Sequence, residues 1–237
     1  ESRTRANLKI QEGCQNFCTY CIIPFARGKM RSKDKDSVIR ETQNLVNHGH
    51  KEVILTGIHT GGYGVDFENY GLADLILDIE KEVKGIERLR ISSIEISQID
   101  KKMLDVMKNS KILANHLHVP LQSGSDTVLG RMNRKYTTSD YRDKIKEIRS
   151  IFPDIALTTD VIVGFPGETI EEFNETYNFI KEISFSELHV FPYSRRSGTK
   201  AAKMPNQINE AIKIMRVNEL ISLSNELAQK YVKQFDN

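Results

Sequence analysis

The feature that most constrains this fold is a rhythm: short strand-like runs alternate with amphipathic helical segments along nearly the whole chain. Apolar runs fall at residues 6–11, 52–56, 89–94, 116–121, 156–163 and 188–193. Between them, Val38, Ile39, Thr42, Leu45 and Val46 share one helical face, and Gly49 stands where a C-cap would fall. Leu72, Leu75, Ile76 and Ile79 repeat the pattern, as do Met103, Leu104 and Met107 after the candidate cap Asp100. Tyr141, Ile145, Ile148 and Phe152 form another stripe before Pro153, and Thr169 to Glu172 reads as a capping box. Consecutive parallel strands need a crossover, so strands alternating with helices imply a parallel sheet. Six such units are too few for a closed eight-stranded barrel. The expected class is therefore α/β, either doubly wound or, as preferred here, a six-stranded partial (β/α)6 TIM-like barrel with a C-terminal helical extension. In both architectures reactive groups belong at the carboxyl ends of the strands.

Composition narrows the class further. Hydrophobic residues make up 39% of 237, enough to bury a sizeable core. No apolar run approaches the roughly 20 residues a membrane span needs, so no membrane partner and a cytoplasmic location are expected. With 34 Lys+Arg against 32 Asp+Glu the net charge is +2, so any nucleic acid must be held by a local basic patch. The chain opens at Glu1-Ser2-Arg3 without an initiator Met and is expected to be part of something longer.

All 3 cysteines fall in one stretch, Gly13-Cys14-Gln15-Asn16-Phe17-Cys18-Thr19-Tyr20-Cys21, directly after the first strand. An odd, clustered set is no disulfide framework. Soft thiolates this close favour zinc or iron–sulfur. Structural zinc wants four ligands, and the nearest histidine, His48, lies beyond a helix. A 4Fe-4S cluster wants one ligand per iron, and three cysteines would leave one iron open. A zinc site in a non-catalytic RNA-binding module, or an electron-carrying ferredoxin-like protein, are the competing readings.

The spacing Cys-x3-Cys-x2-Cys, with aromatic Tyr20 before the last cysteine, resembles the signature of radical S-adenosylmethionine (SAM) enzymes. Flanking stretches, Lys9-Ile10-Gln11-Glu12-Gly13-Cys14 and Ile22-Ile23-Pro24-Phe25-Ala26-Arg27-Gly28, resemble those of the methylthiotransferases. So do Leu121-Gln122-Ser123-Gly124-Ser125, Met132-Asn133-Arg134-Lys135-Tyr136, Asp160–Thr169 and Phe191-Pro192-Tyr193-Ser194. The stretch from Leu55 through His59 to Gly64 is similar to the branch that modifies threonylcarbamoyladenosine beside the tRNA anticodon. Methylthiolation of isopentenyladenosine tRNA or of a ribosomal protein is the alternative within the superfamily.

The resemblance implies that SAM chelates the open iron of one 4Fe-4S cluster and that an electron yields methionine and a 5′-deoxyadenosyl radical. It further implies replacement of the C2 hydrogen of the modified adenine by a methylthio group. Expected partners are the tRNA anticodon stem-loop and an electron donor such as flavodoxin or ferredoxin. The family carries an auxiliary 4Fe-4S cluster on three further cysteines and a small RNA-gripping β-barrel; neither belongs to this chain. Residues 1–205 are read as the radical SAM core, and 206–237 as a C-terminal helix leading toward the absent RNA-binding domain. SAM cleavage should survive in such a core, while complete methylthiolation should fail. Lys200 departs from the family, which has proline after Gly198-Thr199.

The candidate metal ligands are Cys14, Cys18 and Cys21. Candidate cofactor contacts are Tyr20; Thr56 and Gly57 at the end of the second run; Ser93 and Glu95, which strand alternation would put on one face; Gln122; Arg134, as a fork for a carboxylate or phosphate; and Asp160. No catalytic group beyond the cluster-bound cofactor is expected. His59 and Tyr63, in a glycine loop expected to be flexible, and Arg195 and Arg196 are candidate substrate contacts, with Tyr63 available to stack on a base. Arg27, Lys29, Arg31, Lys33, Arg131, Lys135 and Lys200 extend the candidate RNA-facing set.

Overall fold

The structure, a computed structural model, describes residues 4–236, so Glu1-Ser2-Arg3 lie outside the described residues. Two compact units emerge: residues 4–15, 23–118 and 151–155 form the first, and 16–22, 119–150 and 156–236 the second, so that Cys14 belongs to the first and Cys18 and Cys21 to the second.

The first unit holds β1 (Arg5–Glu12), α1 (Ile23–Arg27), β2 (Arg31–Ser32), α2 (Lys35–Asn47), β3 (Glu52–Gly57), α3 (Leu72–Glu82), β4 (Arg88–Ile91), α4 (Lys101–Asn109) and β5 (His116–His118). Its four-stranded sheet has the order β2-β1-β3-β4, parallel except where β2 turns back along β1. Register places Leu8 beside Leu55 and Leu55 beside Ile91, all at most 5% exposed, so every second residue feeds one buried face. The predicted helical stripes close over it. Leu72, Leu75, Ile76 and Ile79 of α3 and Met103, Leu104 and Met107 of α4 are buried, each side chain contributing about 1.5–3 kcal/mol of hydrophobic stabilisation. Asp100 caps α4 by accepting from Met103 N, and Gly49 after α2 takes φ +92°.

The second unit holds α5 (Asp126–Arg131), α6 (Thr138–Ile151), β6 (Ala156–Val163), α7 (Ile170–Ile183), β7 (Glu187–Pro192) and α8 (Glu210–Lys233). β6 and β7 pair in parallel from Thr158↔Glu187 to Val163↔Pro192. On the other side of β6 the chain at 119–122 bonds to the strand without forming a regular ladder. Pro120 has no N–H, and Leu121 N donates to the Thr159 hydroxyl instead of a backbone carbonyl. That is why the predicted run 116–121 yields a strand only to His118. Thr169 and Glu172 form the predicted capping box of α7.

The last helix packs along β7 through Leu220, Leu223 and Leu227. Its first turns bury two cations the amphipathic pattern did not announce. Lys213 Nζ donates to Tyr193 O at 3.0 Å and pairs with Glu210. Arg216 Nη1 meets Glu168 Oε1 at 2.5 Å. Glu168 is 3% exposed and also accepts from Gly164 N, so the turn after β6 is tied to α8. Burial pushes the Glu168 carboxyl above its ordinary pKa, while Arg216 pulls the other way.

Candidate metal and cofactor site

The cysteine stretch is held by backbone geometry at its start. Gly13 takes φ +78°, and a Cβ there would lie 2.1 Å from the Lys29 carbonyl oxygen, so only glycine fits. Cys14 N donates to Gly28 O at 3.2 Å. Within the second unit, Thr19 N and Oγ1 donate to the carbonyls of Met132 (3.0 Å) and Arg131 (2.8 Å), and Thr19 O accepts from Ala201 N. Cys21 N donates to Cys18 O, closing a turn between the last two cysteines. All three cysteines are half-buried and none is in a disulfide.

Beside this turn lies a cavity of about 320 Å³, lined by Tyr20, Gln122, Asp160, Ile162, Phe191, Pro192, Tyr193, Ser194 and Arg196. Four of the sequence candidates thus share one wall system: Tyr20, Gln122, Asp160 and Arg196. Tyr193 also belongs to a buried apolar cluster with Phe165, Val128, Met132 and Ala201, against which two further wall residues, Tyr20 and Ile162, pack. Gln122 adopts φ +67°, unusual for a residue with a side chain, fixed by Gln122 N to Asp160 O and Ile162 N to Gln122 O. Asp160 Oδ1 sits 3.2 Å from His189 Nδ1, so the carboxylate has a histidine partner.

Other candidates need correction. Arg134, expected as a fork for a carboxylate or phosphate, donates from Nη1 to Cys18 Sγ at 3.4 Å. Arg131 makes the bidentate pair, holding both oxygens of Glu172 at 2.8 and 2.6 Å and its carboxyl down at about 2. Arg195 Nε donates to Ala202 O and Lys33 pairs with Glu41, so the basic set is partly committed to the protein itself. Tyr63 cannot stack on a base as placed: it is 2% exposed, donates its hydroxyl to Lys33 O, and packs edge-on against Phe67 and Tyr70. Burial pushes its phenol pKa up. The glycine loop around it is packed, not open, since a Cβ on Gly61 or Gly64 would fall 2.1 Å from Gln98 Oε1 or Tyr70 O. His59 lies on that turn, its Nε2 against the Gln98 amide and its N–H donating to Gln11 Oε1.

Thr56 and Gly57 end β3 as expected, and a Cβ on Gly57 would meet the Gln11 and Thr60 side chains closely, at 3.0 and 3.2 Å. β4 stops at Ile91, and Glu95 begins a short 3-10 turn, so strand alternation does not extend to Ser93 and Glu95. Sequence reasoning missed Ser194 and Ile162 as cavity walls, and His189 as the partner of Asp160. A histidine two residues before Phe191-Pro192-Tyr193 was the available signal.

The profile of the Radical SAM superfamily matches residues 8–180. This chain belongs to the radical SAM superfamily. Membership implies a 4Fe-4S cluster and SAM, and the donor set suits the former: three thiols within one short stretch, whose intervening residues offer no histidine or carboxylate. The chain is 57% identical over 235 residues to the threonylcarbamoyladenosine tRNA methylthiotransferase MtaB of Bacillus subtilis (strain 168), covering 99% of this chain and 52% of that protein. It is 41% identical over 229 residues to the tRNA-2-methylthio-N(6)-dimethylallyladenosine synthase of Thermoanaerobacter sp. (strain X514), covering 96% and 48%. The chain therefore spans about half the length of these curated relatives.

Solved radical SAM enzymes share the fold. The methyltransferase TsrM from Kitasatospora setae, with cobalamin and a [4Fe-4S] cluster bound, superposes with TM-score 0.68 at 17% identity, covering 82% of this chain and 38% of TsrM. Methylornithine synthase (PylB) does so with 0.64 at 16%, covering 92% and 61%. The fold class is thus the α/β partial barrel of radical SAM enzymes, as the strand–helix rhythm implied.

Proposed function

We propose that this chain is the catalytic core of a tRNA methylthiotransferase that adds a methylthio group to C2 of N6-threonylcarbamoyladenosine next to the anticodon. The observation that carries this reading is the 57% identity with a threonylcarbamoyladenosine tRNA methylthiotransferase over 99% of the chain. Cys14, Cys18 and Cys21 hold one 4Fe-4S cluster, leaving the fourth iron to SAM. When bound, cluster and SAM supply the one-electron reductive opening of the sulfonium that begins the reaction. Tyr20, Gln122 and Asp160 orient the cofactor from the walls of the 320 Å³ cavity. Thr56, Gly57, Ser93 and Glu95, near the carboxyl ends of β3 and β4, contribute further cofactor contacts. His59, Arg195 and Arg196 meet the RNA, and a flavodoxin or ferredoxin supplies the electron. The auxiliary 4Fe-4S cluster belongs to the part of the full-length enzyme beyond this sequence. No described helix is long and apolar enough to cross a membrane, consistent with work on cytoplasmic tRNA. Residues 1–205 serve as the core, with 206–237 as the helix leading to the RNA-binding part.

Anaerobic reconstitution, reduction and incubation with SAM test the core of this reading, with 5′-deoxyadenosine as the measured product. Anticodon stem-loops carrying threonylcarbamoyladenosine or dimethylallyladenosine then test the branch. The former should accelerate SAM cleavage more, and a preference for the latter would transfer the chain to the other branch.

A further inference from the structure

We propose that Arg134 is a positioning residue for the cluster, donating a hydrogen bond to the ligand sulfur of Cys18 and raising the cluster's reduction potential; this rests on the cluster assignment above. Arg134 Nη1 lies 3.4 Å from Cys18 Sγ. The guanidinium is aimed there by its own surroundings. It stacks over the Tyr136 ring at 5.0 Å, and its Nε donates to the Tyr136 hydroxyl at 3.1 Å. That tyrosine is 8% exposed and donates in turn to the carbonyls of Pro120 (3.0 Å) and Leu121 (2.7 Å), so the stack is anchored in the unit's interior.

The sulfur is fixed from the other direction by the same short segment. Met132 O and Arg131 O accept from Thr19, and Asn133 Nδ2 donates to Phe17 O at 2.9 Å. Phe17 and Asn133 both sit in the left-handed region, at φ 50° and 62°. A bulky residue such as Phe keeps that backbone only where its neighbours determine it. The turn after α5 therefore acts as a clamp on the cysteine loop, and through Arg134 it presents a guanidinium to a thiol. Three residues earlier, Arg131 turns both its terminal nitrogens to the carboxylate of Glu172. The two arginines are thus sorted by partner, one to an oxygen pair and one to a sulfur.

The consequence follows from charge. Reduction by one electron makes the cluster more negative, and a donor N–H together with a permanently positive guanidinium favours that state. Removing the arginine should make the cluster harder to reduce.

The test is an EPR-monitored redox titration of the anaerobically reconstituted full chain, with iron and sulfide counted per chain. Wild type, R134Q, R134K and Y136F are compared. At wild-type iron content, R134Q should show a reduced-to-oxidised ratio lower by about tenfold at any poised potential, about 59 mV for one electron. R134K keeps the charge and should recover part of the shift, and Y136F, which loosens the stack, should show a smaller shift of the same sign. A loaded R134Q with the wild-type midpoint overturns the proposal, leaving Arg134 a merely structural clamp. If R134Q loads too little iron to titrate, Y136F decides, and an unshifted midpoint there overturns it equally. A wild-type protein that takes up no 4Fe-4S cluster would instead overturn the assignment beneath it.

Discussion

At Gly13 two demands coincide, a φ of +78° and a Cβ position already filled by the Lys29 carbonyl. Gly13→Ala should therefore cost about 2–4 kcal/mol, combining left-handed strain with overpacking, and should reduce iron uptake in step. Chemical denaturation checks it; a change within about 0.5 kcal/mol would show that the backbone relaxes around the new methyl. The cysteines obey a different logic. Replacing any one of Cys14, Cys18 or Cys21 by Ala should bring 5′-deoxyadenosine release down to the level of protein-free controls, whatever happens to global stability. A single replacement that retained full release would remove that residue from the ligand set.

Helix α7 shows how an element's end can carry a pH response. Glu172 closes the capping box with Thr169, accepts from Thr127, and accepts from both terminal nitrogens of Arg131. Hydrogen bonding from Arg131 is the largest cause holding its carboxyl at about 2 instead of 4.5. A depressed carboxylate lends stability that is fully present above its unfolded pKa and is lost as pH falls toward its folded one, here from about 4.5 down to about 2. Glu172→Gln keeps the cap's acceptor but removes the charge. It should cost about 1–2 kcal/mol near neutral pH, discounted for solvent around Arg131, and should flatten the acid limb of a stability–pH curve. Equal acid limbs in variant and wild type would contradict this. Helix α8 offers a contrast along one element. Leu223, 1% exposed, packs in the second unit, while Ile214 is 58% exposed. Leu223→Ala should destabilise by about 2–4 kcal/mol and Ile214→Ala by less than about 0.5 kcal/mol, both read from denaturant midpoints.

For the whole molecule, the 3 cysteines are all committed to one motif, so an auxiliary cluster has no thiols of this chain to bind. The reconstituted 237-residue protein should release 5′-deoxyadenosine from SAM yet leave threonylcarbamoyladenosine in tRNA without a methylthio group, as mass spectrometry of digested tRNA would read. Detection of the methylthiolated nucleoside would show that the sulfur comes by another route. The sequence by itself determined what depends on neighbours along the chain. The alternation of strands with helices, the caps at Asp100 and Thr169, and the spacing of the cysteines are local patterns, legible because periodicity and turn chemistry act over a few residues. It was legible only as far as each period ran: alternation assigned faces within β4, but the strand ends at Ile91 and said nothing valid about Glu95. Tertiary structure alone decided that Tyr63 is buried, that Asp160 answers to His189, and that Arg134 reaches Cys18 across 116 residues of sequence. Such pairings depend on which strand ends and turns the crossovers bring together, and no local period encodes the partner of a long, flexible side chain.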